Sequence, residues 1–402
     1  MTVTISPCNP QGKINVPPSK SDAHRLLVCA GLSEGESKIE NIALSNDIKA
    51  TLGCLENMGA QWRECEGGII IKGTDPRKAD VKSIFCNECG TTIRFFIPLC
   101  LLNESETTVT GSEKLLTRPL TVYEEICKEQ GIYFNNDGKK ITLKGKLNAG
   151  EYVVKGNISS QFISGLLFAL PLLDGDSTIK ILPPFESRPY VDMTLSVLKL
   201  AGIQVEHKNE LEFYIKGNQS YKPFNRRVEG DWSNGAFPEA LSAMGYGVET
   251  TGLRDDSLQG DKICREHFKA LKAGTPTIDL SDCPDLAPIL FAFAGMNNGA
   301  HFTGTARLKI KESDRVGEMS EELIKFGIEL TDNENSVDVK GGVFNPPTEI
   351  LKGHNDHRIV MTMAVMLTKT GGTIEGAEAV NKSYPDFFRD LESIGVKLTY
   401  GT

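Results

Sequence analysis

The segment TLSVLKLAGIQVE, residues 194–206, contains the pattern that decides the fold. Its first half places apolar residues at helical spacing, Gly202 follows, and apolar and polar residues then alternate. A glycine directly after a helix is typical of a position in the left-handed region, where a side chain would clash. The alternation predicts a half-buried strand. The segment therefore predicts an outer helix, a glycine stop and a strand.

The same pattern recurs five more times along the chain. The further copies are TLGCLENMGAQW, VYEEICKEQGIYF, HFKALKAGTPTI, MSEELIKFGIEL and FRDLESIGVKL, with glycines at Gly59, Gly131, Gly274, Gly327 and Gly395. We expect each of these glycines to end a helix in the left-handed region. A pattern that returns at a regular period indicates one structural unit used six times.

A second type of helix recurs between these copies, with a polar start and a nearly all-apolar body. The six stretches are SKSDAHRLLVCAGL, CGTTIRFFIPLCLL, NISSQFISGLLFALPLL, DWSNGAFPEALSAMG, CPDLAPILFAFAG and NDHRIVMTMAVML. A helix that is apolar on all sides is buried, and these bodies are too short to span a bilayer. Six units, each with an internal helix, an outer helix and several strands, predict an α/β protein with two three-fold domains of about 200 residues.

The polar starts of the internal helices suit an anion, because a helix N-terminus has unpaired N–H groups and the positive end of the helix dipole. Basic residues stand among these starts, at Lys20, Arg25, Arg94 and Arg358. The alternative is that Ser, Asn, Asp and Pro only cap helices there, as they commonly do.

Composition narrows the classes of partner. The chain has 402 residues, 40% of them hydrophobic and 24% charged, and a formal net charge of −9. A net acidic chain argues against nucleic acid as a partner, since phosphate backbones need a broad basic surface. No apolar run is long enough for a membrane span, and the N-terminal stretch lacks the pattern of a secretion signal. We therefore expect a cytoplasmic protein without a membrane or nucleic-acid partner.

Ten cysteines raise the question of a metal site. Several lie in apolar runs, which is typical of buried thiols. Cys86 and Cys89 form one CxxC pair, but the sequence has neither a second such pair nor paired histidines. We expect two structural thiols and no metal.

Eight motifs in order resemble 5-enolpyruvylshikimate-3-phosphate synthase. They are PPSKSDAHR (17–25), ECGTTIR (88–94), LTRPL (116–120), NISSQF (157–162), ESRPYVD (186–192), IKESDR (310–315), NDHR (355–358) and NKSYPDFF (381–388). The resemblance implies two domains of three βαβαββ units with internal helices, an inside-out α/β barrel. It divides the chain into residues 19–228 and residues 1–18 with 229–402, with the active site in a cleft that closes between the domains.

The family joins phosphoenolpyruvate to shikimate 3-phosphate by addition and elimination, without a cofactor and as a monomer. The resemblance assigns shikimate 3-phosphate to Lys20, Ser21, Arg25, Ser159, Ser160, Gln161, Ser187, Tyr190, Asp285 and Lys311. It assigns phosphoenolpyruvate to Lys20, Gly90, Arg118, Gln161, Arg315, His357, Arg358 and Lys382. The domain 19–228 is then the shikimate 3-phosphate side, and the other domain the phosphoenolpyruvate side.

The addition needs a base for the 5-hydroxyl and an acid at C3 of phosphoenolpyruvate that later reverses its role. The resemblance places Asp285 at the hydroxyl and Glu312 at C3, with Lys20 as a further proton-transfer group. An alternative for Glu312 is a helical ion pair with Arg315. Asp314 is expected to hold local structure, as a helix cap or the partner of a cation.

The chain departs from the pattern at His24, Glu88, Phe95 and Arg307, where many relatives have other residues. The nearest rival function is that of UDP-N-acetylglucosamine enolpyruvyltransferase, whose pattern pairs the early lysine with asparagine, whereas Ser21 follows Lys20 here. A second alternative is a non-catalytic anion-binding relative. It predicts loss of the acid and base residues, and both Asp285 and Glu312 are present.

Overall fold

The computed structural model of the protein describes residues 1–401. Its strands are short and many. They are β1 (Thr2–Ile5), β2 (Gln11–Asn15), β3 (Glu36–Glu40), β4 (Gln61–Cys65), β5 (Gly68–Lys72), β6 (Ser83–Phe85), β7 (Glu106–Thr110), β8 (Tyr133–Asn136), β9 (Ile141–Lys144), β10 (Glu151–Lys155), β11 (Ser177–Leu182), β12 (Val205–Asn209), β13 (Glu212–Ile215), β14 (Asn225–Arg227), β15 (Gly247–Thr251), β16 (Thr277–Asp279), β17 (Gly299–Thr303), β18 (Leu330–Asp332), β19 (Ser336–Lys340), β20 (Leu351–Lys352), β21 (Gly372–Glu375) and β22 (Leu398–Gly401).

Helices separate these strands. They are α1 (Lys20–Gly31), α2 (Asn46–Asn57), α3 (Gly90–Cys100), α4 (Glu113–Leu116), α5 (Thr121–Glu129), α6 (Ser160–Ala169), α7 (Arg188–Leu200), α8 (Trp232–Ala243), α9 (Cys264–Ala273), α10 (Ala287–Met296), α11 (Arg315–Leu323), α12 (His357–Thr370) and α13 (Phe387–Ser393). Short 3₁₀ turns extend several of them. Across residues 1–401, no helix combines the length and apolarity needed to cross a bilayer.

One strand arrangement recurs in the sheets. In five four-stranded sheets the first two strands pair in parallel, and the two following pairings are antiparallel. The strand orders are β14-β3-β5-β4, β6-β7-β9-β8, β10-β11-β13-β12, β16-β17-β19-β18 and β20-β21-β1-β22. The sixth is a parallel pair, β15-β2. The predicted α/β class with a six-fold repeat is therefore confirmed, with one repeat reduced to two strands.

The chain divides into two compact units. The central unit comprises residues 18–229, and the terminal unit comprises residues 1–17 and 230–401. Each unit has its own hydrophobic core. Strand β14 pairs with β3 inside the central unit, while β2 pairs with β15 inside the terminal unit.

Burial confirms the predicted internal helices. Helix α12 is buried from His357 to Thr368, and α10 from Ala287 to Gly295. In the central unit, α3 and α6 are buried along nearly their whole length, and the Phe95 and Phe168 rings meet edge to face with centroids 5.0 Å apart. The apolar bodies therefore fill the cores, and the polar starts lie at the ends of these helices.

The glycine prediction is right at five repeats and wrong at one. Gly59, Gly131, Gly202, Gly327 and Gly395 have φ values between 68° and 98°. Gly274 instead has φ 176°, which is extended backbone. The strand after Gly274, β16, pairs in parallel with β17, whereas each of the other five glycines precedes a strand that pairs antiparallel with its neighbour.

Candidate active site

Lys20 begins α1, directly after the N-cap Ser19. Its amine lies 2.8 Å from a carboxylate oxygen of Asp47, and both side chains are largely buried. Asp47 is in the first turn of α2, where the helix dipole favours a carboxylate. The Lys20 amine is therefore fixed at the start of a buried helix, where an anion would also be favoured.

Arg25 lies one turn further along α1 and is 2% exposed. Its guanidinium donates to the Thr194 hydroxyl at 2.8 Å, to the Tyr190 carbonyl at 2.8 Å and to the Ser21 carbonyl at 2.6 Å. It also stacks over the Phe95 ring. Burial lowers the pKa of Arg25 to about 10, which leaves it charged at neutral pH. Arg25 thus joins α1 to α7.

The start of α3 gathers several predicted site residues. Gly90 is its first residue, and a Cβ atom added there would lie 2.6 Å from Arg118 Nη1 and 2.9 Å from Arg94 Nη1. Arg94 donates to the side-chain oxygen of Gln161 at 2.9 Å, and Gln161 donates to Thr91 at 2.8 Å. The buried Nε atoms of Arg94 and Arg118 have no hydrogen-bond partner within residues 1–401.

Serines stand at the starts of α6 and α7. Ser159 caps α6 by accepting from the Gln161 amide, and Ser160 is the first, buried residue of the helix. Ser187 precedes α7 in the left-handed region, with φ 56°. The Tyr190 amide donates to the Ser187 carbonyl at 3.1 Å. Both serine positions are predicted anion-binding sites.

In the terminal unit, Asp285 meets two arginines. Its carboxylate lies 2.7 Å from Arg315 Nη1 and 3.4 Å from Arg358 Nη2. Burial opposes ionisation of Asp285, but the charges of Arg358, Arg315 and Lys311 outweigh it and hold the pKa well below its ordinary value. Asp285 is therefore ionised, and the structure brings four predicted site residues together.

Arg358 has hydrogen-bonding capacity left over. Its side chain is 5% exposed, and its buried Nε and Nη1 atoms have no hydrogen-bond partner in the described part of the chain. Buried donors are normally satisfied, and an exception at a cluster of charges needs an explanation. A bound anion that accepts from this guanidinium would supply the missing partner.

Asp356 organises the same cluster. It caps α12 by accepting from the Arg358 amide at 2.8 Å, and its other oxygen lies 2.8 Å from Arg315 Nε. Ser313 donates to the same carboxylate at 3.3 Å. Asp356 is fully buried, so its hydrogen bonds fix the starts of α11 and α12 against each other.

Glu312 contacts a histidine. One of its oxygens lies 3.0 Å from Nδ1 of His357, the first residue of α12. The buried Nε2 atom of His357 has no hydrogen-bond partner among residues 1–401. Asp314 accepts from the amides of Val316 and Gly317, which confirms the prediction that it caps a helix.

Lys382 lies at the end of a 3₁₀ turn, and its amine donates to the Asn355 carbonyl at 2.6 Å. Asn355 directly precedes Asp356, so Lys382 is tied to the chain that leads into α12. The predicted residues of the terminal unit therefore belong to one group around the starts of α11 and α12.

Among residues 1–401, three groups of side chains have ligand types and spacing that could hold a metal ion. They are His24 with Asp47 and Cys89; Glu312 with Asp356 and His357; and Glu321 with Glu322 and His354. The first group was not expected, because Cys89 was paired with Cys86 by sequence. Within it, Asp47 binds Lys20, and His24 Nδ1 lies 2.8 Å from the Thr51 hydroxyl. All ten cysteines are free thiols.

Sequence reasoning left Asp47, Arg94 and Asp356 out of the site. Asp356 is the N-cap of α12 and Asp47 lies in the first turn of α2, two positions at which an acidic residue ordinarily only stabilises its own helix. Arg94 was noted for its charge at the start of an internal helix, but its link to Gln161 spans distant segments of the chain. Only the folded arrangement reveals these contacts.

Comparisons with known proteins agree along the length of the chain. The family model of EPSP synthase (3-phosphoshikimate 1-carboxyvinyltransferase) matches residues 6–391. A curated 3-phosphoshikimate 1-carboxyvinyltransferase from Clostridium kluyveri is 42% identical, covering 98% of this chain and 97% of the relative. The enzyme of the same name from Clostridium novyi is 41% identical over the same shares.

The fold has solved counterparts. The structure of EPSP synthase from Acinetobacter baumannii superposes with a TM-score of 0.80 at 21% identity, covering 100% of both chains. At that identity the likeness concerns the fold alone, whereas the family match and the Clostridium relatives rest on sequence over nearly the whole chain. The chain therefore belongs to the EPSP synthase (3-phosphoshikimate 1-carboxyvinyltransferase) family.

Proposed function

We propose that this chain transfers the enolpyruvyl group of phosphoenolpyruvate to the 5-hydroxyl of shikimate 3-phosphate and releases phosphate. The observation that carries the proposal is the buried cluster in which Asp285 contacts both Arg315 and Arg358. It combines a carboxylate for proton transfer with two guanidinium groups that match carboxylate and phosphate oxygens.

Charge supports this choice of substrates. Two phosphorylated acids repel each other by several kcal/mol per charge pair at an effective dielectric near 20. Arg358 and Arg118 offer buried donors without partners in the described residues, and Lys20 is fixed at a helix start. Local cations of this kind offset the repulsion even though the net charge of the chain is −9.

Asp285 accepts the proton of the 5-hydroxyl in this mechanism. In the unliganded protein its pKa is held low by the arginines, which would make it a weak base. An anion that binds Arg315 and Arg358 competes for their positive charge and raises the pKa of Asp285. Binding of phosphoenolpyruvate therefore prepares the base for the reaction.

Glu312 delivers the proton to C3 and removes one in the elimination step. His357 Nδ1 orients its carboxylate from the start of α12, and Nε2 of the same ring is available to a substrate oxygen. Lys20 is the further proton-transfer group. Lys311 binds the ring hydroxyls of shikimate 3-phosphate, and Lys382 binds phosphoenolpyruvate.

The central unit binds shikimate 3-phosphate in this proposal, and the terminal unit supplies the reacting carboxylates. Ser159 and Ser187, which directly precede α6 and α7, and the first amides of these helices provide hydroxyl and amide donors for the phosphate. Arg25 has three donors directed at protein oxygens, so it holds Tyr190 and Ser21 in place for the ligand. We further propose a cytoplasmic monomer that needs no cofactor.

Turnover with defined substrates tests the proposal. The purified chain is mixed with phosphoenolpyruvate and shikimate 3-phosphate, and phosphate release and the mass of the product are followed together. We expect one phosphate per enolpyruvyl ether formed. Release with UDP-N-acetylglucosamine in place of shikimate 3-phosphate would support the rival transferase, and no release with either acceptor would support a non-catalytic binder.

A further inference from the structure

His354 stands three residues before His357, in the short segment between β20 and α12. Its Nε2 atom lies 2.8 Å from Glu322, and its Nδ1 atom lies 3.8 Å from Glu318. Both glutamates belong to α11, the helix that begins at Arg315. His354 therefore links the segment before α12 to the side of α11.

The backbone at this point is constrained. His354 has φ 50° and Asn355 has φ 53°, two successive non-glycine residues in the left-handed region. Such a conformation persists only where the surroundings hold it. The hydrogen bond from His354 to the 1% exposed side chain of Glu322 is the side-chain contact that holds the first of the two residues.

The constrained turn presents functional groups on its far side. The Asn355 carbonyl accepts from the Lys382 amine at 2.6 Å, and Asp356, the next residue, caps α12. A change in the turn would therefore move the Lys382 amine. It would also move Asp356, whose carboxylate accepts from the Arg358 amide.

Glu322 is itself fixed by other contacts. Its carboxylate accepts from the Lys325 amine at 2.7 Å and from the Lys352 amide at 3.0 Å. Because these contacts hold the carboxylate in place, the hydrogen bond with His354 ties the turn to a fixed point on α11.

We propose that His354 is a positioning residue for phosphoenolpyruvate, whose hydrogen bond to Glu322 holds the turn at 354–355 so that Lys382 and Arg358 face the substrate. The inference rests on the proposed function. It adds a group that touches no substrate and acts through the Asn355 carbonyl and the cap at Asp356. A positioning role predicts a change in affinity for phosphoenolpyruvate, with the chemical step retained.

His354→Asn is the variant of choice, because asparagine tolerates the left-handed region but lacks the imidazole that reaches Glu322. At saturating shikimate 3-phosphate, we expect its KM for phosphoenolpyruvate to be about 5- to 10-fold higher than that of wild type, with kcat within about two-fold. Glu322→Ala, which removes the other partner of the hydrogen bond, should move KM in the same direction. His301→Asn is the control, since His301 forms an exposed pair with Asp338 at 2.7 Å.

A readout without turnover separates this inference from the proposed function. The rate at which an amine reagent labels Lys382, followed by mass spectrometry, should rise several-fold in His354→Asn and stay unchanged in His301→Asn. Unchanged labelling and an unchanged KM in His354→Asn would overturn the inference even if wild type turns over. If His354→Asn does not fold, Glu322→Ala decides, and an unchanged KM together with unchanged labelling of Lys382 in Glu322→Ala rejects the role.

Discussion

His357 Nδ1 and the carboxylate of Glu312 lie 3.0 Å apart, although 45 positions separate the two residues in the chain. The contact aims Glu312 from the first residue of α12, the helix whose cap also binds Arg315. The sequence also allows an ion pair between Glu312 and Arg315 on one helix. In the structure, however, the carboxylates nearest to Arg315 are those of Asp285 and Asp356. Glu312 is thus oriented by a contact with the start of α12.

Glu312→Gln should lower kcat by at least about 100-fold while substrate affinities change little, because the amide cannot exchange the C3 proton. Single-turnover kinetics with both substrates measures the chemical step directly. Glu329→Gln, which removes an exposed carboxylate paired with Lys340, is the matched control and should behave as wild type. Near-normal turnover of Glu312→Gln would remove Glu312 from the mechanism.

Gly90→Ala should raise the KM for phosphoenolpyruvate about ten-fold with little loss of stability. The added Cβ would lie within 3 Å of the guanidinium ends of Arg118 and Arg94, which are flexible and can move aside. Displaced guanidiniums no longer match the anion. Gly53→Ala, at a helix position where a Cβ meets nothing within 4 Å, is the control. Equal KM values for the two variants would show that Arg118 does not bind phosphoenolpyruvate.

Arg25→Ala should weaken binding of shikimate 3-phosphate and also lower the unfolding temperature. The substitution removes three hydrogen bonds and leaves the Thr194 hydroxyl and the Tyr190 carbonyl without this donor. Calorimetric titration with shikimate 3-phosphate and a thermal melt measure the two effects. Arg63→Ala, which loses only an exposed pair with Glu36, should change neither. An unchanged melt would contradict the link between α1 and α7.

Asp22 in the first turn of α1 gives the central unit a pH-dependent stability. Burial, with repulsion from Glu229, raises its pKa to about 6 from 3.8. Between these values the folded state binds the proton more tightly than the unfolded state, so stability falls as the pH rises from about 4 to 6. The loss is at most about 3 kcal/mol.

Asp22→Asn should remove that part of the pH dependence and stabilise the protein at neutral pH relative to wild type. Urea unfolding at several pH values between about 4 and 8 measures it. Asp255→Asn, which changes a carboxylate that is 94% exposed, is the control. If the stability of Asp22→Asn falls over this range by as much as the stability of Asp255→Asn, Asp22 is excluded as the cause.

The repeat was predictable because local forces set it. Helical spacing, a glycine stop and strand alternation are properties of neighbouring residues, so the copies at Gly59, Gly202 and Gly395 could be read directly. The buried helices were equally predictable from the sequence, because a stretch such as 287–296 has no polar face to expose to solvent. Gly274 departs from the pattern because the strand after it, β16, pairs in parallel with β17, and the folded sheet rather than the neighbouring residues sets that pairing.

The sequence by itself thus determined the class of fold, the six-fold repeat and the helix starts at which charged residues stand. Only the tertiary structure decided which partners those charges take: Asp47 for Lys20, Asp285 and Asp356 for Arg315, and His357 for Glu312. Local patterns arise from bonds along the chain, whereas an ion pair forms between whichever segments the packing of the core brings within a few ångströms. For that reason His354 carries no signal in the sequence, and its contact with Glu322 appears only in the folded protein.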